Sequence, residues 1–197
     1  MSTFSSSTSE EILASAQTLI MSGGYNGFSY ADIAEVVGIR KASIHHHFPS
    51  KVDLVRVLVE QYREVGVAGV AALERNVSNP LDILKAYAGH WAKCIGDASR
   101  PYCVCALLAS ELPSLPPEVA KEVTAFFRFI SSWLTSVMER GAKEKTLNLT
   151  SEPAVEAEAF LATVYGAMLS ARAYGKADVF SAILAPTLTR LSPIVSH

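Results

Sequence analysis

No stretch of this 197-residue chain offers the roughly 18–20 apolar residues in a row that a bilayer-spanning helix needs. Cysteine is scarce and odd in number. Cys94, Cys103 and Cys105 are unlike a secreted disulfide framework, which points to a reducing cytoplasm. The opening MSTFSSSTSEE has neither the basic start nor the apolar centre of a secretory signal, so residues 1–9 are expected to be a polar tail. Charge is also thin, at 18% of residues, and the net −2 argues against a protein coated in nucleic acid. Strand alternation and Asn-Gly hairpin signals are missing. So are a paired-carboxylate cleft, a Ser/His/Asp elbow and a phosphate-binding glycine loop, so neither enzymatic activity nor a cofactor is expected.

Half of the chain is hydrophobic, enough to fold and bury a core, and the apolar residues repeat with helical spacing throughout. The sequence predicts an all-α protein of about nine helices. Thr8-x-x-Glu11 reads as a capping box ahead of a face formed by Ile12, Leu13, Ala16, Leu19 and Ile20. Gly23-Gly24 ends that helix. Ser29-x-x-Asp32 starts a second, expected to bury Ile33, Val36 and Val37 and to stop at Gly38. A short third helix keeps Ile44 and Phe48 inward, and Ser50-x-x-Asp53 caps a fourth running from Lys51 to about Asn76. That helix would span about 40 Å at about 1.5 Å per residue.

Longer, more apolar helices follow: Leu81 to about Gly96, Cys103 to Glu111, Pro117 to about Lys143, Glu152 to Tyr174, and Asp178 to Leu191 with an interruption at Pro186. The expected organisation is a tail (1–9), a three-helix domain (10–56) and a larger helical domain (57–197).

Positive charge gathers where the helices are shortest. Arg40, Lys41, Lys51 and Arg56 face only one acid, Asp53, between Gly38 and Arg56. A short basic helix braced by a second across a tight turn is what the major groove of DNA admits. Three consecutive histidines, His45 to His47, do not make a metal site, because neighbouring helical positions point about 100° apart.

The N-terminal residues resemble the TetR family of bacterial transcriptional regulators. The pattern is Gly24-Tyr25-x-x-Phe28-Ser29, Ala31-Asp32-Ile33-Ala34, Val37-Gly38-Ile39 and Lys41 through Lys51. Ala42 stands where glycine is usual, and His45 where tyrosine is usual. The resemblance implies an N-terminal DNA-binding domain, a helical domain that binds a small effector, and a homodimer. Base edges would be met by Arg40, Lys41, Ala42, Ser43 and His45, the cations favouring guanine and Ala42 a thymine methyl. Ser29, Tyr30, His46, His47 and Lys51 would touch phosphate.

The resemblance also implies a small apolar or electrophilic effector, for which Trp91, Cys103, Phe126, Phe127, Phe129, Trp133, Tyr165 and Met168 are the candidate lining. Each of them could equally be filled core. Cys103, at the head of a helix and near Arg100, looks like the electrophile-responsive cysteine of one family branch, the repressors of N-ethylmaleimide reductase type. Helix N-termini and nearby cations favour thiolate, whereas most free cysteines are inert and buried. Ala159, Ala162, Gly166, Ala167 and Ser170 give the penultimate helix a small-residue flank. Paired with the last helix, it would form the dimer interface that places two readers about 34–36 Å apart, or at a related spacing, on a near-palindromic operator. The function expected is a ligand-released repressor. The alternatives are an activator of the same family and a helical small-molecule binder without DNA recognition.

Overall fold

The computed structural model describes residues 7–98 and 102–193. Arg100, a predicted influence on Cys103, lies outside the described residues, as do residues 1–6 of the expected tail. The described residues form nine α-helices: α1 (Thr8–Gly23), α2 (Tyr30–Val37), α3 (Lys41–His47), α4 (Lys51–Asn76), α5 (Pro80–Gly96), α6 (Val104–Ser110), α7 (Pro117–Glu144), α8 (Pro153–Tyr174) and α9 (Asp178–Leu191). Two 3-10 turns, Tyr25–Gly27 and Leu112–Ser114, complete the chain, and there is no strand among the described residues. The all-α expectation holds.

Three local expectations are corrected. The first capping box is Ser7 with Glu10, not Thr8 with Glu11. Ser7 Oγ accepts from the Glu10 N–H at 3.3 Å, and Glu10 Oε2 accepts from the Ser7 N–H at 2.8 Å. Both pairs satisfy the same pattern, and the backbone uses the earlier one. In α2, Ile33 is fully buried but Val36 is 66% exposed. On an eight-residue helix only a narrow stripe reaches the core, and Val36 lies on the far side of it from Val37. Finally, α9 runs unbroken through Pro186, which sits inside the helix. The ring costs one helical hydrogen bond without ending the element.

The chain divides into two compact units. The first holds Met1–Val65 and Val104–Phe126, and the second Gly66–Cys103 and Phe127–His197. Helices α4 and α7 are therefore each divided between the units.

In the first unit, Ile12, Ala16, Ile20, Ile33, Ile44, Phe48, Leu54, Leu58, Val104 and Leu108 make the core. Helix α1 packs on α2, α2 on α3, and α6 on α1. Arg63 of α4 pairs with Glu122 of α7 at 3.3 Å, and the rings of Tyr62 and Phe126 lie 5.5 Å apart. In the second unit α8 packs against α9 and α9 against α5, around Leu84, Leu134, Phe160, Val164 and Phe180. No helix among the described residues is long and apolar enough to cross a membrane.

Candidate nucleic-acid interface

Helix α3 carries the sequence-predicted readers on one side and its anchors on the other. Ile44 and Phe48 are buried, whereas Arg40, Lys41, Ala42, His45, His46 and His47 are exposed and Ser43 half-buried. Seven residues give room for only one inward pair, so nearly every other side chain faces out. The turn before it depends on Gly38, whose φ of 74° and ψ of 30° are left-handed. There the N–H groups of Gly38 and Ile39 both donate to Ala34 O, at 2.9 and 3.1 Å. This closes α2 and sets the direction in which α3 departs.

Several predicted phosphate contacts also brace the reader. Tyr30 donates its hydroxyl to Phe48 O at 2.9 Å, joining the start of α2 to the end of α3. Burial, with Asp53 and Tyr25 adding to it, pushes that phenol up to about 12. The Tyr30 ring meets His45 edge-on, 4.8 Å between centroids, and His45 Nδ1 lies 3.1 Å from Pro49 O. A carbonyl can only accept, so this contact requires the proton on Nδ1. Ser29 caps α2: its Oγ accepts from the Ala31 N–H and donates to Asp32, whose carboxyl is held down chiefly by that bond.

Lys51 opens α4, but its ammonium turns inward. It donates to Phe28 O and sits 4.1 Å from the Phe28 ring centroid and 4.9 Å from that of Tyr25. Burial pushes the ammonium below its usual range, while Asp32 and Glu111 hold it up.

Sequence reasoning missed Glu111. Its Oε2 accepts the Tyr25 N–H at 2.8 Å across a separation of 86 residues, a contact with no local signal.

The candidate effector residues do not share one place. Phe126 belongs to the first unit, facing Tyr62. In the second unit Trp91, Trp133 and Met168 are buried, and Phe127, Phe129 and Tyr165 are half-buried. Tyr87, which sequence reading placed only on a helix face, lies at the centre: its ring is 5.4 Å from Trp133 and 6.4 Å from Phe160. Burial pushes its phenol well above the ordinary range, against the pull of Trp91 and Tyr165. Trp133 Nε1 is buried with no acceptor among the described residues. Cys103 is fully buried. No group of three or more His, Cys, Asp or Glu among the described residues is arranged to hold a metal.

On α8, Ala159, Ala162 and Gly166 face outward, Ser170 is half-buried and Ala167 is buried within the protomer. The outward stripe is completed by Val155, Leu169 and Ala173, at alternating spacings of four and three residues.

A glycine-turned pair of short helices, with the second exposing cations and imidazoles over two buried anchors, defines a helix-turn-helix transcription regulator. Residues 12–58 match the model of "Bacterial regulatory proteins, tetR family". A TetR-family transcriptional regulator from Agrobacterium tumefaciens is 59% identical, covering 93% of this chain and 97% of its own, with a TM-score of 0.91. A TetR regulator from Legionella pneumophila is 28% identical over 96% of this chain and 100% of its own, with a TM-score of 0.86. The HTH-type transcriptional repressor NemR of Escherichia coli is 23% identical over 84% of each chain. The chain belongs to the TetR family of transcription regulators, and its members are DNA-binding proteins rather than enzymes.

Proposed function

We propose that this protein is an operator-binding repressor that acts as a homodimer and is released by a small effector. The outward face of α3 carries the reading: Arg40, Lys41, Ala42 and His45 are exposed over the buried Ile44 and Phe48. Arg40 and Lys41 fit guanine edges, and Ala42 fits a thymine methyl. Ser29, Tyr30, His46 and His47 flank that face as the phosphate-contacting set, while Lys51, turned inward onto Phe28 O, adds only its positive charge beside them. NemR, a named repressor of similar length, supports repression as the sense of control.

The apolar stripe of α8 supports the dimer. From Val155 to Ala173 it runs about 27 Å at about 1.5 Å per residue. Exposed Ile183 and Pro186 on α9 can extend the surface. A second copy would bury this surface as a four-helix bundle.

Tyr87, Trp91, Trp133 and Tyr165 support an effector site in the second unit. An aromatic or otherwise apolar molecule carrying one acceptor would satisfy Trp133 Nε1. Its release of DNA requires tighter binding to a dimer geometry that misplaces the two α3 helices. Cys103 serves an electrophilic effector only through a local opening, since its thiol is fully buried.

The test is a gel shift with the duplex immediately upstream of the gene. A salt-sensitive complex is expected, because phosphate contacts release counterions. No complex, or a random-sequence duplex bound as tightly as the upstream one, would refute operator recognition. For the thiol, Cys103→Ser that still releases DNA normally under N-ethylmaleimide rules out electrophile sensing at that residue.

A further inference from the structure

The turn between α1 and α2, Gly24–Phe28, fixes how the first helix meets the reading pair. The Gly27 N–H closes it by donating to Gly24 O at 3.3 Å, but two groups at its ends are held from elsewhere in the chain. The Tyr25 N–H at its start donates to Glu111 Oε2, and the Phe28 C=O at its end accepts from Lys51 Nζ. One negative and one positive side chain thus grip the two ends of a single turn. The two charges also attract each other, since Glu111 is among the groups sustaining the Lys51 ammonium.

Glu111 is rigidly mounted. Its own N–H donates to Leu108 O at 3.0 Å, closing α6, and its carbonyl accepts the Ser114 N–H at 2.8 Å and the Ser114 hydroxyl at 2.9 Å. Leu108 and Leu115 on either side are buried. Opposite the carboxylate lies Gly24, at φ 74° and ψ −173°, where a Cβ would fall 1.8 Å from Glu111 Oε1. That backbone conformation is essentially restricted to glycine. The missing side chain is the space the carboxylate occupies. Glu118, at the start of α7, adds its field to the Tyr25 phenol. The returning segment Val104–Phe126 therefore contacts this turn through Glu111 and acts on it at longer range through Glu118.

We infer that Glu111, far outside the matched segment 12–58, is a positioning residue for DNA recognition that locks the α1–α2 turn against Lys51 and so fixes the angle of the reading helices. The inference rests on the proposal that α3 reads DNA. It adds that the reader is discontinuous in sequence and incomplete without α6 and its following turn. A charge-assisted hydrogen bond of this kind stabilises more than a neutral one, and its loss frees backbone rather than only a surface side chain.

The test uses the full chain and a duplex enriched by the wild-type protein from a random library, read by fluorescence anisotropy at fixed salt. Glu111→Ala is expected to weaken binding by about tenfold or more, the scale set by one charged hydrogen bond. Glu111→Gln, whose carbonyl still accepts the Tyr25 N–H, is expected to recover to within about threefold. Amide exchange should accelerate in Glu111→Ala at Tyr25 through Phe28. Leu161→Ala, a core variant of the second unit destabilised to a similar extent, should bind normally at a temperature where it remains folded. Should Glu111→Ala lose its helical circular dichroism, Glu111→Asp, one methylene short of Tyr25, carries the same expectation.

Binding by Glu111→Ala within about twofold of wild type, or a loss matched by Leu161→Ala, would overturn the inference and leave DNA reading by α3 intact. Failure of the wild-type protein to enrich any duplex would overturn the reading beneath it.

Discussion

Arg190 of α9 grips Glu156 of α8 with both ends of its guanidinium, Nη1 to Oε1 at 3.1 Å and Nη2 to Oε2 at 2.7 Å. Three further donors converge on the same carboxylate: the Thr150 N–H at 2.9 Å, the Thr150 hydroxyl at 2.9 Å and the Ser151 N–H at 3.2 Å. The first turn of α8 is thereby tied to the last turn of α9 and to the loop before α8. Arg190 holds the Glu156 carboxyl at about 2 against the cost of its burial, with Thr150 helping.

A depressed acid stabilises the fold when ionised. The contribution is complete above the ordinary carboxyl value of 4.5 and is lost as pH falls from there towards about 2. Arg190 is 40% exposed, so solvent screening reduces the contribution to on the order of 1–2 kcal/mol. Thermal melts between pH 7 and pH 3 should show wild type losing more stability than Arg190→Met, which starts lower. Parallel pH curves for the two proteins would contradict this assignment.

Two glycine substitutions should act in opposite directions. Gly38→Ala forces a side chain into left-handed backbone and is expected to cost about 1–2 kcal/mol. Gly69 lies exposed in the middle of α4 with open space around it. Gly69→Ala should stabilise by about 0.5–1 kcal/mol. Denaturant titration reads both, and DNA affinity should fall only for Gly38→Ala.

The two lysines at the ends of the reading segment differ in kind. Lys41 is exposed and its charge is only the weakest of the influences on the Asp32 carboxyl, so Lys41→Ala should change stability by less than about 0.5 kcal/mol while weakening binding and relaxing sequence preference. Lys51→Ala removes the ammonium that grips Phe28 O, so it should lower the melting temperature as well as weaken binding to all duplexes alike. Equal melting temperatures for the two variants would contradict the inward placement of Lys51.

Gly166→Arg places a charged side chain on the outward stripe of α8, where nothing within the protomer stands within 4 Å of a Cβ. The protomer should keep its helical content, and sedimentation should give a monomer with operator affinity lost. A dimer of undiminished affinity would place the interface elsewhere.

Where the governing interaction is local, the chain announces it. Ser29 with Asp32, Ser50 with Asp53 and the left-handed Gly38 were all legible, because each contact spans three or four residues. The inward pair Ile44 and Phe48 followed from spacing alone. The first capping box was ambiguous because two overlapping Ser/Thr-x-x-Glu patterns compete. Val36 was misplaced because an apolar residue on a short helix need not reach the core. The α7 aromatics read as one cluster, but consecutive helical positions send Phe126 to Tyr62 and Phe127 to Tyr165. Glu111 was illegible, because nothing near it in the chain indicates the distant turn it caps.

The central claim is that a symmetric pair of α3 helices reads a duplex, and selection from a random duplex library, followed by sedimentation of the protein on the enriched sequence, tests it most directly. The account predicts an inverted repeat whose half-sites lie about one helical turn or a related spacing apart, bound by an even number of protomers. An unenriched pool, or a single protomer on an asymmetric site, would contradict it.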